Sequence, residues 1–174
     1  MTLARDLESA LPLTEHVQSA GVGTSPNDAI KSNQPTPLNI LFVEDSAFDC
    51  SLLVRLLQQS GIKLTWERVE DELGMRSALE RRQWDAVISD HNLPRFSSTR
   101  ALNLHKEYKL DVPFIIVSGD IGENIAVEAM LAGADDYVMK SRLARLPPAL
   151  SRSLSAADTR RQRRERSEEH TSEL

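Results

Sequence analysis

The sequence predicts an α/β fold, a doubly wound five-stranded parallel sheet in which each strand is followed by a helix. Three observations predict it. Short apolar runs recur along the chain, as in LNILFV, DAVIS and PFIIVS. Segments with apolar residues at helical spacing lie between them. Each run closes on a polar or charged residue. An apolar run without polar alternation is what a strand buried on both faces requires. Strands separated by helices pair in parallel through right-handed crossovers, which leaves helices on both faces of the sheet.

The elements follow in order. Leu38–Val43 is the first strand, ending in acid. Phe48, Leu52, Leu53, Leu56 and Leu57 give the next helix its apolar stripe, and Gly61 stops it. Leu64–Val69 alternates through Trp66 as a second strand. Asp71–Arg82 reads as a helix weakened by Gly74. Asp85–Ser89 is a buried strand closed by Asp90, and a loop with Pro94 leads to a helix over Thr99–Lys106. Pro113–Ser118 is the fourth strand. Glu123–Leu131 is an Ala-rich helix ending at Gly133, and Asp136–Met139 is a short fifth strand. Pro147 and Pro148 suit the first turn of a last helix, with Leu150, Leu154 and Ala157 on its apolar face.

The chain has 174 residues, the size of one domain with tails. It is 40% hydrophobic and 27% charged, an ordinary globular composition. A net charge of −5 argues against a generally basic nucleic-acid binder. No apolar run approaches the ~20 residues that span a bilayer. The first residues, Met1–Asp28, lack the basic start and apolar stretch of a secretory signal. A single cysteine, Cys50, excludes an internal disulfide and a Cys-based zinc site; it is expected in the core. A soluble cytoplasmic protein is expected. Gly, Ser, Asn, Pro and Thr crowd positions 19–37, so residues 1–37 are expected to be a disordered segment, with Leu3–Leu13 a short helix lacking an apolar face at most. Residues 38–155 form the expected domain, and 156–174 a helical extension or truncated linker.

In open parallel sheets ligands bind beyond the carboxyl ends of the strands. Here those ends carry Glu44 and Asp45, then Asp90, then Ser118, and finally Lys140. Carboxylates gathered there are costly. Two like charges ~4 Å apart repel by roughly 4 kcal/mol at an effective dielectric near 20. The cluster is stable only if one acid is protonated or a cation sits among them. Hard oxygen ligands with room for water suit Mg²⁺. A divalent ion beside a lysine and a hydroxyl makes a site for a phosphoryl group. A carboxylate within reach can act as nucleophile and form an acyl phosphate.

The set LFVEDS, ISDHNLP, FIIVSGD and GADDYVMK resembles the receiver domain of bacterial two-component response regulators, over about residues 38–155. The resemblance implies a flavodoxin-like, CheY-like fold with strand order 2-1-3-4-5. It implies that Asp90 is the phosphoacceptor, and that Glu44, Asp45, Asp90 and the backbone carbonyl of Asn92 hold Mg²⁺. It places Ser118 at the switch hydroxyl, Tyr137 at the aromatic switch and Lys140 at the family's near-invariant lysine. The implied donor is a phosphohistidine on a histidine kinase or phosphotransfer protein. The implied outcome is a changed face built from the fourth helix, fifth strand and fifth helix, which would meet an output domain or a second copy. Such a module speeds its own phosphorylation and is not an enzyme with an outside substrate. Neither nucleic acid nor membrane is an expected partner of this domain.

Two residues depart from the family pattern. Ser141 follows Lys140 where proline is frequent, so a trans bond and a different local loop are expected. Ser97-Ser98 stands where an acid and a glycine are frequent, which demands ordinary backbone angles. Some residues have plainer readings. Core packing alone explains Tyr137 equally well, His91 is expected as a solvent-facing loop residue, and Trp66 and Trp84 are expected to pack on the sheet or helices. Asn92 is a candidate for positioning a hydrolytic water. The arginines of RRQRRER, Arg160–Arg166, are read as the charged outer part of an extended last helix rather than a nucleic-acid or membrane contact. Arg166–Leu174, RSEEHTSEL, resembles the translation of a sequencing-adapter oligonucleotide, which implies an artefactual end and a lost natural C-terminus. Three other functions compete with this reading. An aspartyl-phosphate hydrolase would carry Asp-x-Asp after the first strand, where this chain has Glu44-Asp45-Ser46. Nucleotide binding lacks its Gly-rich loop. A pseudo-receiver that binds partners without phosphate is the standing alternative.

Overall fold

The computed structural model describes residues 36–119 and 123–172. Expectations for residues 1–35 therefore lie outside the described residues. Five strands, β1 (Leu38–Val43), β2 (Leu64–Val69), β3 (Ala86–Asp90), β4 (Phe114–Ser118) and β5 (Asp136–Met139), form one parallel sheet in the order 2-1-3-4-5. Helices α1 (Ala47–Gln59), α2 (Glu72–Arg81), α3 (Ser98–Glu107) and α4 (Glu123–Leu131) alternate with them. A 3-10 turn, Lys140–Arg145, links β5 to α5 (Leu146–Ser172). The predicted fold class and strand order are both observed.

The uninterrupted apolar runs have a direct cause. Alternate residues of each strand point to opposite faces, and both faces are covered. Ile40, Phe42, Ile88, Ile115, Val117 and Val138 pack with Cys50, Leu53, Val54 and Leu57 of α1 and Leu146, Ala149 and Leu150 of α5. Leu41, Val43, Val87, Phe114, Ile116 and Tyr137 pack on the other side with Met75, Ala78, Leu102, Leu104 and Ala129. Burying one such Ile, Leu or Phe side chain contributes about 1.5–3 kcal/mol. Two cores thus hold the sheet between them, and the polar residues gather at its carboxyl end.

Element ends have local causes. Ser46 caps α1 by accepting from the Asp49 amide at 3.1 Å, and Asp71 caps α2 by accepting from Gly74 at 2.8 Å. Gly61, at φ +84°, ends α1 in the left-handed conformation that glycine adopts without strain. Strand β3 begins one residue later than predicted. Asp85 stands outside it, with its carboxylate accepting from the Asn39 amide at 2.7 Å. Ser97 takes φ −70° and caps α3, so the serine pair costs no strained geometry.

Two expectations are corrected, those for the α1 stripe and for His91, while Trp66 packs on the sheet as expected. Phe48 and Leu52 do not face the core. Phe48 is 78% exposed, because the buried stripe of α1 is Cys50, Leu53, Val54 and Leu57, about half a turn away around the helix. Trp66 packs edge-on against Phe42, with ring centroids 6.3 Å apart, yet stays 43% exposed because β2 is an edge strand. His91 is half-buried rather than solvent-facing; its Nδ1 lies 2.9 Å from the buried Ser98 hydroxyl. Trp84 and Cys50 are buried as predicted. Trp84 donates to the Ala78 carbonyl at 3.0 Å, and burial pushes the Cys50 thiol up to about 11. Helix α5 runs on past the sheet to Ser172, with Arg160 paired to Asp135 and Arg164 to Asp111. Among the described residues, no helix is long and apolar enough to cross a membrane.

Candidate phosphoacceptor and divalent-cation site

Strand β1 delivers Glu44 to the carboxyl end of the sheet, where it is 2% exposed. Its Oε1 accepts from the Ser46 amide at 3.0 Å. Asp45, the next residue, is exposed. Central strand β3 ends in Asp90, 7% exposed. Carboxylate oxygens of Glu44, Asp45 and Asp90 all lie within 4.8 Å of one another. Ser118 ends β4, the strand beside β3, and is fully buried.

Lys140 enters from the far side. It follows β5, and its chain passes Gly119, with Cδ 3.8 Å from where a Cβ there would stand. Its Nζ lies 2.7 Å from Asp49 Oδ2, 3.2 Å from Asp90 Oδ2 and 3.6 Å from Glu44 Oε2. Burial opposes the charge on Lys140. The hydrogen bond to Asp49 and the charges of Asp90 and Glu44 outweigh it and hold the ammonium above the ordinary lysine range.

One lysine does not balance this cluster. Burial, opposed by the Ser46 amide and reinforced by the charge of Asp90, pushes Glu44 up to about 7. Glu44 Oε2 and Asp90 Oδ1 are buried without a hydrogen-bond partner. A buried acceptor left unpaired costs about 1–3 kcal/mol, and more when charged. Both orphaned oxygens belong to the three-acid group, and a hard cation is the species that satisfies anionic oxygens of this kind. The residues therefore fit a divalent ion.

The structure thus brings Glu44, Asp45, Asp90 and Lys140 together, with Ser118 at the neighbouring strand end. Tyr137 is 8% exposed and packs in the core on the face covered by α2, α3 and α4. Asn92 is exposed on the loop after Asp90. Sequence reasoning missed two residues. Asp49 takes the shortest contact with Lys140. It stands three residues after the helix-capping Ser46, where an acid ordinarily folds back onto the cap amide. Here that amide is taken by Glu44, so Asp49 is released to the lysine. Arg68 of β2 donates to the carbonyl oxygens of Glu44 and Asp45. No spacing signal marks a side chain that serves main-chain atoms.

Known proteins resemble this chain in sequence and in fold. The family model for the response regulator receiver domain matches residues 40–150. Among curated relatives, the two-component response regulator ARR2 of Arabidopsis thaliana is 26% identical over 72% of this chain and 19% of its own length. The transcriptional regulatory protein PrrA of Mycobacterium tuberculosis is 30% identical over 60% of this chain and 44% of its own length. The chain therefore spans less than half the length of these relatives. Among solved structures, NtrX from Brucella abortus superposes with a TM-score of 0.65 at 24% identity, over 75% of this chain and 29% of that one. The signal receiver domain of a putative Luxo repressor protein from Vibrio parahaemolyticus gives 0.62 at 23%, over 73% and 97%. These two likenesses establish the fold.

Proposed function

This chain belongs to the response regulator receiver domain family, a family of signalling modules, and we propose that it takes a phosphoryl group on the carboxylate of Asp90. The donor is a phosphohistidine on a histidine kinase or phosphotransfer protein. An Asp90 oxygen attacks phosphorus in line. The new O–P bond forms as the P–N bond to histidine breaks, and the leaving imidazole nitrogen keeps the electron pair and takes up a proton. The product is an acyl phosphate.

Each neighbouring group has one task. Glu44 and Asp45, with Asp90 and the Asn92 carbonyl, would hold a divalent ion, which supplies positive charge against the phosphoryl oxygens. Lys140 is already charged and aimed at Asp90, so it meets the incoming phosphoryl group without reorganising. Ser118 offers a hydroxyl donor at the adjacent strand end. Its movement toward the phosphoryl oxygens, followed by Tyr137, is the proposed route by which the α4–β5–α5 face changes for an output domain or a second copy.

The observation that carries this reading is the pair of orphaned buried carboxylate oxygens beside a charged lysine at the end of the central strand. The test is mass spectrometry of the chain incubated with a small phosphoramidate donor and Mg²⁺. Wild type gains one phosphoryl group and Asp90→Asn gains none. Equal labelling of the two would overturn the assignment.

A further inference from the structure

The carbonyl oxygens of Glu44 and Asp45 fall between two hydrogen-bond ladders. The last ladder bond of β1 is from the Glu44 amide to the Val69 carbonyl at 2.9 Å, which leaves the Glu44 and Asp45 carbonyls beyond it. The helical ladder of α1 begins with the Ser46 carbonyl, which accepts from Cys50 at 3.0 Å. The two carbonyls in the gap turn to one donor. Arg68, next to last in β2, places Nη1 at 2.9 Å from Glu44 O and 3.1 Å from Asp45 O. The same nitrogen lies 2.6 Å from Glu70 Oε1. Nη1 carries two hydrogens, so three acceptors share them. Through this one nitrogen Arg68 ties Glu70 to the main chain of Glu44 and Asp45.

We propose that Arg68 is a positioning residue for divalent-cation binding: its guanidinium fixes the Glu44–Asp45 main chain so that both carboxylates converge with Asp90. The inference rests on the reading that these three acids hold Mg²⁺. It adds a residue from an edge strand that touches none of the three carboxylates. Groups that orient metal ligands without touching the metal govern affinity in many sites.

The sign of the effect separates positioning from electrostatics. Arg68 is a cation beside an acidic site. If its charge were all that mattered, removing it, and freeing the Glu70 carboxylate, would tighten Mg²⁺ binding. If it holds the turn, removing it lets the two carboxylates drift and weakens binding.

The experiment is calorimetric titration of the whole chain with Mg²⁺, for wild type, Arg68→Gln and Arg68→Lys. Hydrogen exchange of the Ser46 amide is measured alongside in the metal-free proteins. Arg68→Gln is expected to weaken Mg²⁺ binding about tenfold, and Arg68→Lys about threefold, because lysine keeps the charge but its side chain is one bond too short to put a nitrogen where Nη1 stands. The Ser46 amide, which donates to Glu44, exchanges faster in Arg68→Gln, while the β3 amide of Val87 does not change. Should Arg68→Gln fail to fold, Arg68→Lys carries the same test. Wild-type or tighter affinity in whichever variant folds overturns the proposal and leaves Arg68 as a surface partner of Glu70. No Mg²⁺ uptake by wild type overturns the cation reading of the site, and this inference with it.

Discussion

Two charge clusters in this molecule use the same residue types to opposite ends. Between α2 and α3, Glu72 and Glu107 face Arg76 and Arg100 on the surface, with contacts from 2.7 to 3.5 Å. Acids and bases are equal in number. Hydrogen bonds from Arg100 and then Arg76 hold Glu72 down at about 2. At the carboxyl end of the sheet, Glu44, Asp45, Asp49 and Asp90 gather, and Lys140 pairs with three of them. Two oxygens there are buried without a hydrogen bond, and Glu44 is pushed up instead of down. A balanced, wet cluster is finished when the chain folds. An unbalanced, buried one is completed by something that arrives later, a cation or a phosphoryl group.

The difference predicts opposite responses to neutralising one acid. The largest effect falls on Glu44. A carboxyl pushed from 4.5 to about 7 is penalised in the folded state once the unfolded chain ionises. Stability from this group is therefore full below pH 4.5, declines as pH rises to 7, and stays low above it. Glu44→Gln keeps an acceptor for the Ser46 amide and removes the penalty, which is about 3 kcal/mol at pH 8. Denaturant unfolding without metal should show the variant more stable than wild type at pH 8 and equal at pH 4, while it loses Mg²⁺ uptake. A variant less stable than wild type at pH 8 would show that the cluster is balanced after all.

Mg²⁺ itself should sharpen the comparison next. Binding needs ionised Glu44, so it competes with a proton below pH 7. Thermal unfolding should show a larger rise in Tm on adding Mg²⁺ at pH 8 than at pH 5.5. Equal rises at both would remove Glu44 from the ion's partners. A smaller effect is expected at Asp49. Its pair with Lys140 is part-exposed, and Asp49→Asn should cost under about 1 kcal/mol, read by denaturant unfolding.

Legibility in the sequence followed the same division. Strands β1, β3 and β4 were readable because burial on both faces leaves nothing but apolar residues between turns. Glu44, Asp90, Ser118 and Lys140 were readable because strand ends are marked by the change from apolar to polar. Phe48 and Leu52 misled because α1 carries two apolar stripes, and only the shape of the sheet surface decides which one is buried. Asp49 and Arg68 were illegible for another reason. Each lies inside an element whose period explains it, and their partners, Lys140 and two carbonyl oxygens, are set by tertiary placement. His91 belongs with them, since Ser98 reaches it only when the loop closes onto the start of α3.

The smallest effect is expected in the balanced cluster, and it is the one that tests whether the two clusters are independent. Arg100→Gln leaves Glu72 with Arg76 and leaves the carboxyl-end acids untouched. Phosphoryl labelling and Mg²⁺ affinity should both stay at wild-type values, measured as for Asp90→Asn. The two regions approach each other at a crevice lined by Asp45, Glu70, Asp71, Pro94 and Arg95, just ahead of Glu72 at the start of α2. If Arg100→Gln changed Mg²⁺ affinity beyond twofold, charge on α2 would be felt across that crevice, and the surface network would belong to the site's electrostatics. Solvent argues the other way: salt at 0.1 M largely screens exposed charges beyond about 10 Å. Repeating the titration at low and high salt separates the cases, because a field effect fades with salt and an altered ligand geometry does not.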